Sequence, residues 1–285
     1  MFDHLLKFCA PFCLALFVSV PLFGAEEVVS LTTQDGWILS ALYQSAQENN
    51  RTVVLLHDLG KNKEQFSTFK SALAKEGFGY LALDLRGHGQ STNQEDYRRF
   101  AREGVDNQFN KMTRDVDAAL TFLDKKRIPS SNIAVLGSGL GANVAAKSMT
   151  FWPDTPLLAL ISPTTNNRAV LSIPAMRLYK GNSLIAAGAA DKKMFLEASV
   201  LRNVAFLTAG EGNVTFLTAY DLTSHEMLDK YLIPSLLQWL KTPQKPELLP
   251  DEPENPSDEN SETEGIMITP SDTEESLFPS VLGNL

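Results

Sequence analysis

Along the chain, short continuous apolar runs alternate with longer segments whose apolar residues recur every three or four positions. Thr52 to His57, Gly79 to Leu83, Ile133 to Ser138, Leu157 to Ile161, Ser183 to Ala187 and Val214 to Ala219 are the short runs. Their β-branched and leucine-rich make-up suits strands buried on both faces. Between them, Lys63 to Glu76 carries Phe66, Phe69, Leu73 and Ala74 at helical spacing, with Gly77 at the C-cap position. Asp106 to Arg127 places Met112, Val116, Ala119, Leu120 and Leu123 on one face and predicts a single helix ended before Pro129. Lys192 to Ala209 fits a helix closed by Gly210, although Val204 to Leu207 also reads as a strand; the helix is the expectation. Leu228 to Leu240 predicts the last helix, bent at Pro234.

Buried strands joined by amphipathic crossovers give a mainly parallel sheet with helices on both faces, an α/β fold. Ahead of them, Val28 to Thr33 and Trp37 to Tyr43 are β-prone runs split by Gln34-Asp35-Gly36, which predicts a hairpin.

The two ends differ from this body. Residues 1–25 begin with a polar stretch whose one cation is Lys7 and continue as an apolar run from Phe8 to Phe23, which reads as a signal peptide engaging the membrane during export. An uncleaved N-terminal membrane anchor is the alternative. Cys9 and Cys13 both lie in this segment, so the mature chain would hold no thiol, in keeping with a periplasmic, envelope or secreted location without disulfides. Residues 243–285 carry eleven Asp and Glu against Lys245, a charge of −10 in a chain whose total is −9. The acidity belongs to this tail, expected to be disordered, and residues 26–242 form the folded domain near neutrality. No basic patch points to nucleic acid, and partners are an unspecified small molecule or protein.

Candidate chemistry centres on Gly137-Ser138-Gly139-Leu140-Gly141, where an apolar strand runs into a glycine-rich corner and leaves as a helix. In the G-x-S-x-G nucleophile elbow the serine occupies the middle position. Here Gly139 stands there, and Ser138 comes one place early. Leu55-Leu56-His57-Asp58-Leu59-Gly60 and Asp84-Leu85-Arg86-Gly87-His88-Gly89-Gln90-Ser91 are the other distinctive stretches. No spacing of His, Cys, Asp and Glu suggests a metal site, no phosphate loop is present, and no cofactor is implied.

Taken together, these three stretches resemble the α/β-hydrolase fold family, in its dienelactone hydrolase and serine aminopeptidase-like branch, over about residues 28–241. The resemblance implies an acid and a histidine after the elbow in chain order, which falls on Asp191 and His225. It also implies an oxyanion hole built from the Asp58-Leu59 loop and the amide of Leu140. The short path from Ile161 to Ser183 leaves no room for a large lid domain. With Gly139 in the nucleophile place and Asp58 where the family has glycine, the expectation is a non-catalytic pseudo-hydrolase that acts by binding. The alternative is a weak ester hydrolase that uses Ser138, or a water activated by His225. The bland readings are that His57, His88 and Asp84 shape their turns and that Asp191 caps a helix.

Overall fold

The computed structural model describes residues 24–223 and 226–243 of the 285-residue chain. The N-terminal segment read as a signal peptide, up to residue 23, together with Ser224, His225 and the acidic tail from residue 244, lies outside the described residues. An eight-stranded sheet contains β1 (Glu27–Thr32), β2 (Ile38–Gln44), β3 (Thr52–Leu56), β4 (Gly79–Leu83), β5 (Ile133–Ser138), β6 (Leu157–Ile161), β9 (Asn182–Gly188) and β10 (Val214–Ala219). Its spatial order is β1-β2-β4-β3-β5-β6-β9-β10. The β1–β2 and β2–β4 pairs are antiparallel and all the others parallel. The expected hairpin turns at Gln34-Asp35-Gly36, where Gly36 takes φ +81°.

Alternation along the central strands divides the core into two layers. Val54 and Leu56 of β3 join one layer; Val53 and Leu55 join the other. The first layer is covered by α3 (Thr113–Lys125), α4 (Leu140–Ser148) and α6 (Lys192–Ala209), and the second by α1 (Ser67–Lys75) and α7 (Ile233–Lys241). Helices therefore cover both faces.

Several local expectations are corrected. The segment 106–127 is not one helix: the one-turn α2 (Gln108–Lys111) precedes α3, and Met112 between them has ψ −15°. The Asn107 side chain caps α2 by accepting from the Asn110 N–H at 2.8 Å, while Phe109 and Met112 both turn into the core. Lys63–Phe66 is a 3-10 turn that feeds α1. The ambiguous segment is helical throughout as α6. At the last helix, the wide π-type turn Leu228–Leu232 comes before α7, and Pro234 sits in the first turn of α7, where its missing N–H is tolerated.

Between β6 and β9 the chain forms only the hairpin β7 (Asn166–Asn167) and β8 (Val170–Leu171) and the one-turn α5 (Ile173–Met176). No large lid stands on this path.

Candidate functional site

The site is built where β3 and β5 end side by side. Their parallel register pairs Leu56 with Gly137, so Asp58 and Gly139 each stand two residues beyond a matched pair. Between β5 and α4 the chain turns within Gly139, which has φ +54° and ψ −116°. Its N–H donates to the Ile161 carbonyl at 2.9 Å, and its own carbonyl accepts from Ala142 N at 3.1 Å. So sharp a corner needs close backbone approach. A Cβ on Gly137 would lie 2.1 Å from the Gly141 carbonyl oxygen, and one on Gly141 would lie 2.1 Å from the Leu56 carbonyl oxygen. These contacts are backbone against backbone, and no rotamer change relieves them.

At Gly139 the obstacle is a side chain. A Cβ there would lie 2.0 Å from Asp58 Oδ1, 2.1 Å from Asp58 Cγ and 2.5 Å from Asp58 Oδ2. The Asp58 carboxylate occupies the space into which any side chain at position 139 would project. Oδ1 accepts from the Leu140 N–H, the first amide of α4, at 2.7 Å and from the Leu59 N–H at 2.7 Å. An anion at a helix N-terminus meets unpaired N–H groups and the positive end of the helix dipole, so the placement is favourable.

Sequence reasoning placed Asp58, Leu59 and Leu140 together, and the structure brings them together. The Asp58 carboxylate itself engages the two amides of the expected oxyanion hole. Gln65, which carried no sequence signal, steadies the arrangement. Its Oε1 accepts from Asp58 N at 2.8 Å, and its Nε2 donates to Ser138 Oγ at 3.2 Å. Ser138 is buried at the end of β5, where its hydroxyl oxygen accepts that bond.

His57 locks the loop from behind. Leu85 N–H donates to its Nε2 at 3.0 Å, which leaves Nδ1 to donate to the Asp58 carbonyl at 2.7 Å. Burial, aided by the neighbouring His88, pushes its pKa down to about 3, so the ring is neutral near pH 7. The Asp84-to-Ser91 turn is likewise structural. Asp84 accepts from Lys63 N at 2.8 Å, Lys63 Nζ at 2.6 Å and Gln90 N at 2.8 Å. Arg86, fully buried, donates to Asp115 at 2.8 Å and Asp35 at 2.7 Å and packs over the Trp37 ring. Burial pushes Asp115 up to about 6 against the pull of Arg86.

Asp191 follows β9 at the same edge of the sheet, and its Oδ1 accepts from Met194 N at 3.1 Å as the N-cap of α6. His225 falls outside the described residues, so its distance to Asp191 or Ser138 is not part of this geometry. Among the described residues no group of three His, Cys, Asp or Glu side chains is disposed to hold a metal ion.

Comparison with known proteins places this geometry in context. Solved structures with the same fold include the Pyrococcus furiosus esterase Pf2001, at 18% identity and TM-score 0.61, covering 76% of this chain and 92% of that one. The esterase EaEST from Exiguobacterium antarcticum matches at 16% identity and TM-score 0.57, covering 76% of this chain and 100% of that one. A dienelactone hydrolase from Anabaena variabilis matches at 12% identity and TM-score 0.62, covering 76% and 97%. No curated protein matches the sequence. A family model described as Hydrolase_4, serine aminopeptidase, S33, matches residues 47–211, more than half of the chain. The α/β fold, the elbow between β5 and α4 and this match together establish that the chain belongs to the serine aminopeptidase-like Hydrolase_4 family of α/β-hydrolases.

Proposed function

We propose that the protein is an exported, non-catalytic member of this family, a pseudo-hydrolase that acts by binding. The observation that carries this reading is the Asp58 carboxylate, seated on the amides of Leu59 and Leu140 and filling the space beside Gly139. Acyl transfer needs a nucleophilic oxygen at the elbow and two vacant, preorganised donors for the oxyanion. Gly139 has no oxygen to offer, and the donors face a fixed negative charge. An incoming carbonyl would have to evict that carboxylate before its developing charge could be stabilised. The alternative of a weak hydrolase through Ser138 would rest on a buried hydroxyl whose oxygen accepts from Gln65. Export rests on the apolar N-terminal run.

The test is hydrolysis of a short activated ester, together with labelling by a serine-directed phosphonate. The proteins are the parent, Gly139→Ser, Asp58→Gly, the double variant of these two, and Ser138→Ala. An inert parent, inert single variants and labelling of the double variant alone are expected. Parent hydrolysis that disappears in Ser138→Ala would establish the hydrolase alternative and overturn the binding reading.

A further inference from the structure

Beside Leu59 the surface dips into a cleft of about 100 Å³, walled by Leu59, Tyr97 and Phe100 and by three arginines, Arg98, Arg102 and Arg168. No Asp or Glu lines it. Arg102 and Arg168 also line a wider hollow of about 550 Å³, whose lining includes Glu103. Arg98 is already engaged with Asp96 through two bonds of 2.8 and 2.7 Å. Among the described residues, neither the Arg102 nor the Arg168 guanidinium has a carboxylate partner. Two cations thus meet at one depression with no countercharge in its narrow part.

The position of Arg168 is also built. It forms the tip of the β7–β8 hairpin with Ala169, and the pair take φ +54° and +66°, the left-handed values that a two-residue hairpin connection requires at both positions. Side chains from outside the hairpin fix it there. Asn107 Nδ2 donates to the Arg168 carbonyl at 2.9 Å, and the buried Asn143, on the helix that leaves the elbow, donates to the Val170 carbonyl at 2.9 Å. Also lining the cleft, Tyr97 stacks on His88 with ring centroids 4.1 Å apart, which fixes its aromatic side.

We propose that this cleft is the ligand site and that it takes a small organic anion. A carboxylate or phosphate group would lie between Arg102 and Arg168, and its apolar body against Tyr97, Phe100 and Leu59. Guanidinium groups favour such oxyanions through paired, charge-assisted hydrogen bonds. The proposal rests on the binding reading of the protein and names the ligand class that reading leaves open.

Isothermal titration calorimetry of the full chain tests it with four probes: benzoate, phenyl phosphate, inorganic phosphate and neutral benzamide. Saturable binding of benzoate or phenyl phosphate is expected, weakening as salt rises, with no binding of benzamide. If inorganic phosphate alone binds, the apolar wall plays no part and the organic-anion proposal falls. Replacing Arg102 and Arg168 together by Gln should weaken binding at least about tenfold, or about 1.4 kcal/mol. Arg99→Gln, an exposed arginine outside the cleft, should leave binding unchanged. Flat titrations of the parent with every anion, or a double variant that binds like the parent, would overturn the proposal. The comparison of benzoate with benzamide needs no variant, so a misfolded double variant would not rescue it. Ester turnover by the parent would sink the pseudo-hydrolase reading separately, and flat titrations of an inert parent would sink the cleft alone.

Discussion

Restoring a serine at position 139 should fail while Asp58 is present and succeed structurally once Asp58 is gone. In Gly139→Ser the new Cβ would sit 2.0 Å from Asp58 Oδ1, well inside contact distance. The carboxylate can swing away, but only by releasing the amides of Leu59 and Leu140. Losing hydrogen bonds to a charged group costs about 1.5–3 kcal/mol, part of which water recovers. A β-carbon at φ +54° and ψ −116° adds about 1–3 kcal/mol of backbone strain. The single variant should therefore lose about 2.5–6 kcal/mol. In an Asp58→Gly background the carboxylate is already absent, and the same serine should cost only the strain, about 1–3 kcal/mol. The coupling energy between the two sites is the difference, about 2 kcal/mol, well above the scatter expected of independent substitutions. Urea unfolding of the parent, the two single variants and the double variant measures it directly. Additivity to within about 0.5 kcal/mol would refute the reasoning, because the two positions would then not compete for one space.

Three further outcomes follow from groups around the site. His57 binds no proton in the folded state until about pH 3, whereas the unfolded chain takes one near 6.5. Its contribution to stability is therefore complete above pH 6.5 and drains as pH falls towards 3, by up to about 1.4 kcal/mol per pH unit. Asp115, raised to about 6, acts in the opposite sense between about pH 6 and 3.8, so the comparison is urea stability of the parent against His57→Gln at each pH. A parent curve parallel to that of the variant would refute the assignment. Asp115→Asn strips the fully buried Arg86 of its buried countercharge and should cost about 3–5 kcal/mol by chemical unfolding, with a loss below about 1 kcal/mol counting against it. Asn143→Ala takes the Asn143 partner from the Thr164 N–H and the Val170 carbonyl, while the Thr164 carbonyl keeps the Ser172 hydroxyl, and should cost about 1–3 kcal/mol for each group left without a partner. Amide exchange over residues 166–171 should accelerate in that variant, and unchanged exchange there would show that the hairpin holds itself.

The parallel sheet was legible because its strands are apolar on both faces. In a run such as Val53-Val54-Leu55-Leu56 each residue has a core layer to enter, whichever way it points. The punctuation was legible for a similar local reason, with Gly36 and Gly77 standing where the chain needs φ of +81° and +79°. The β7–β8 hairpin was not legible. Its tip carries Arg168 and Ala169 rather than glycine, and the groups that hold it, Asn107 and Asn143, are distant in sequence. The break at Met112 was hidden too, because the apolar spacing of 106–127 runs straight through it and only the Asn107 cap and the turn of Phe109 into the core interrupt the helix.

The candidate site divides the same way. A glycine at the centre of the elbow and an aspartate in the loop after β3 are visible as two separate departures from a hydrolase pattern. That they form one physical object depends on the register that pairs Leu56 with Gly137, and no property of either segment alone reveals it. Each substitution makes the other tolerable. Asp58 can reach the Leu140 amide because position 139 has no side chain, and the loss of a side chain there leaves no void because the carboxylate fills it. On the pseudo-hydrolase reading, two residues rather than one stand between this elbow and acyl transfer. Serine at 139 without loss of Asp58 meets a steric block, and glycine at 58 without serine opens the donors but supplies no nucleophile. On that reading acyl transfer at position 139 would need both changes together, and the pair forms a single structural unit of the elbow.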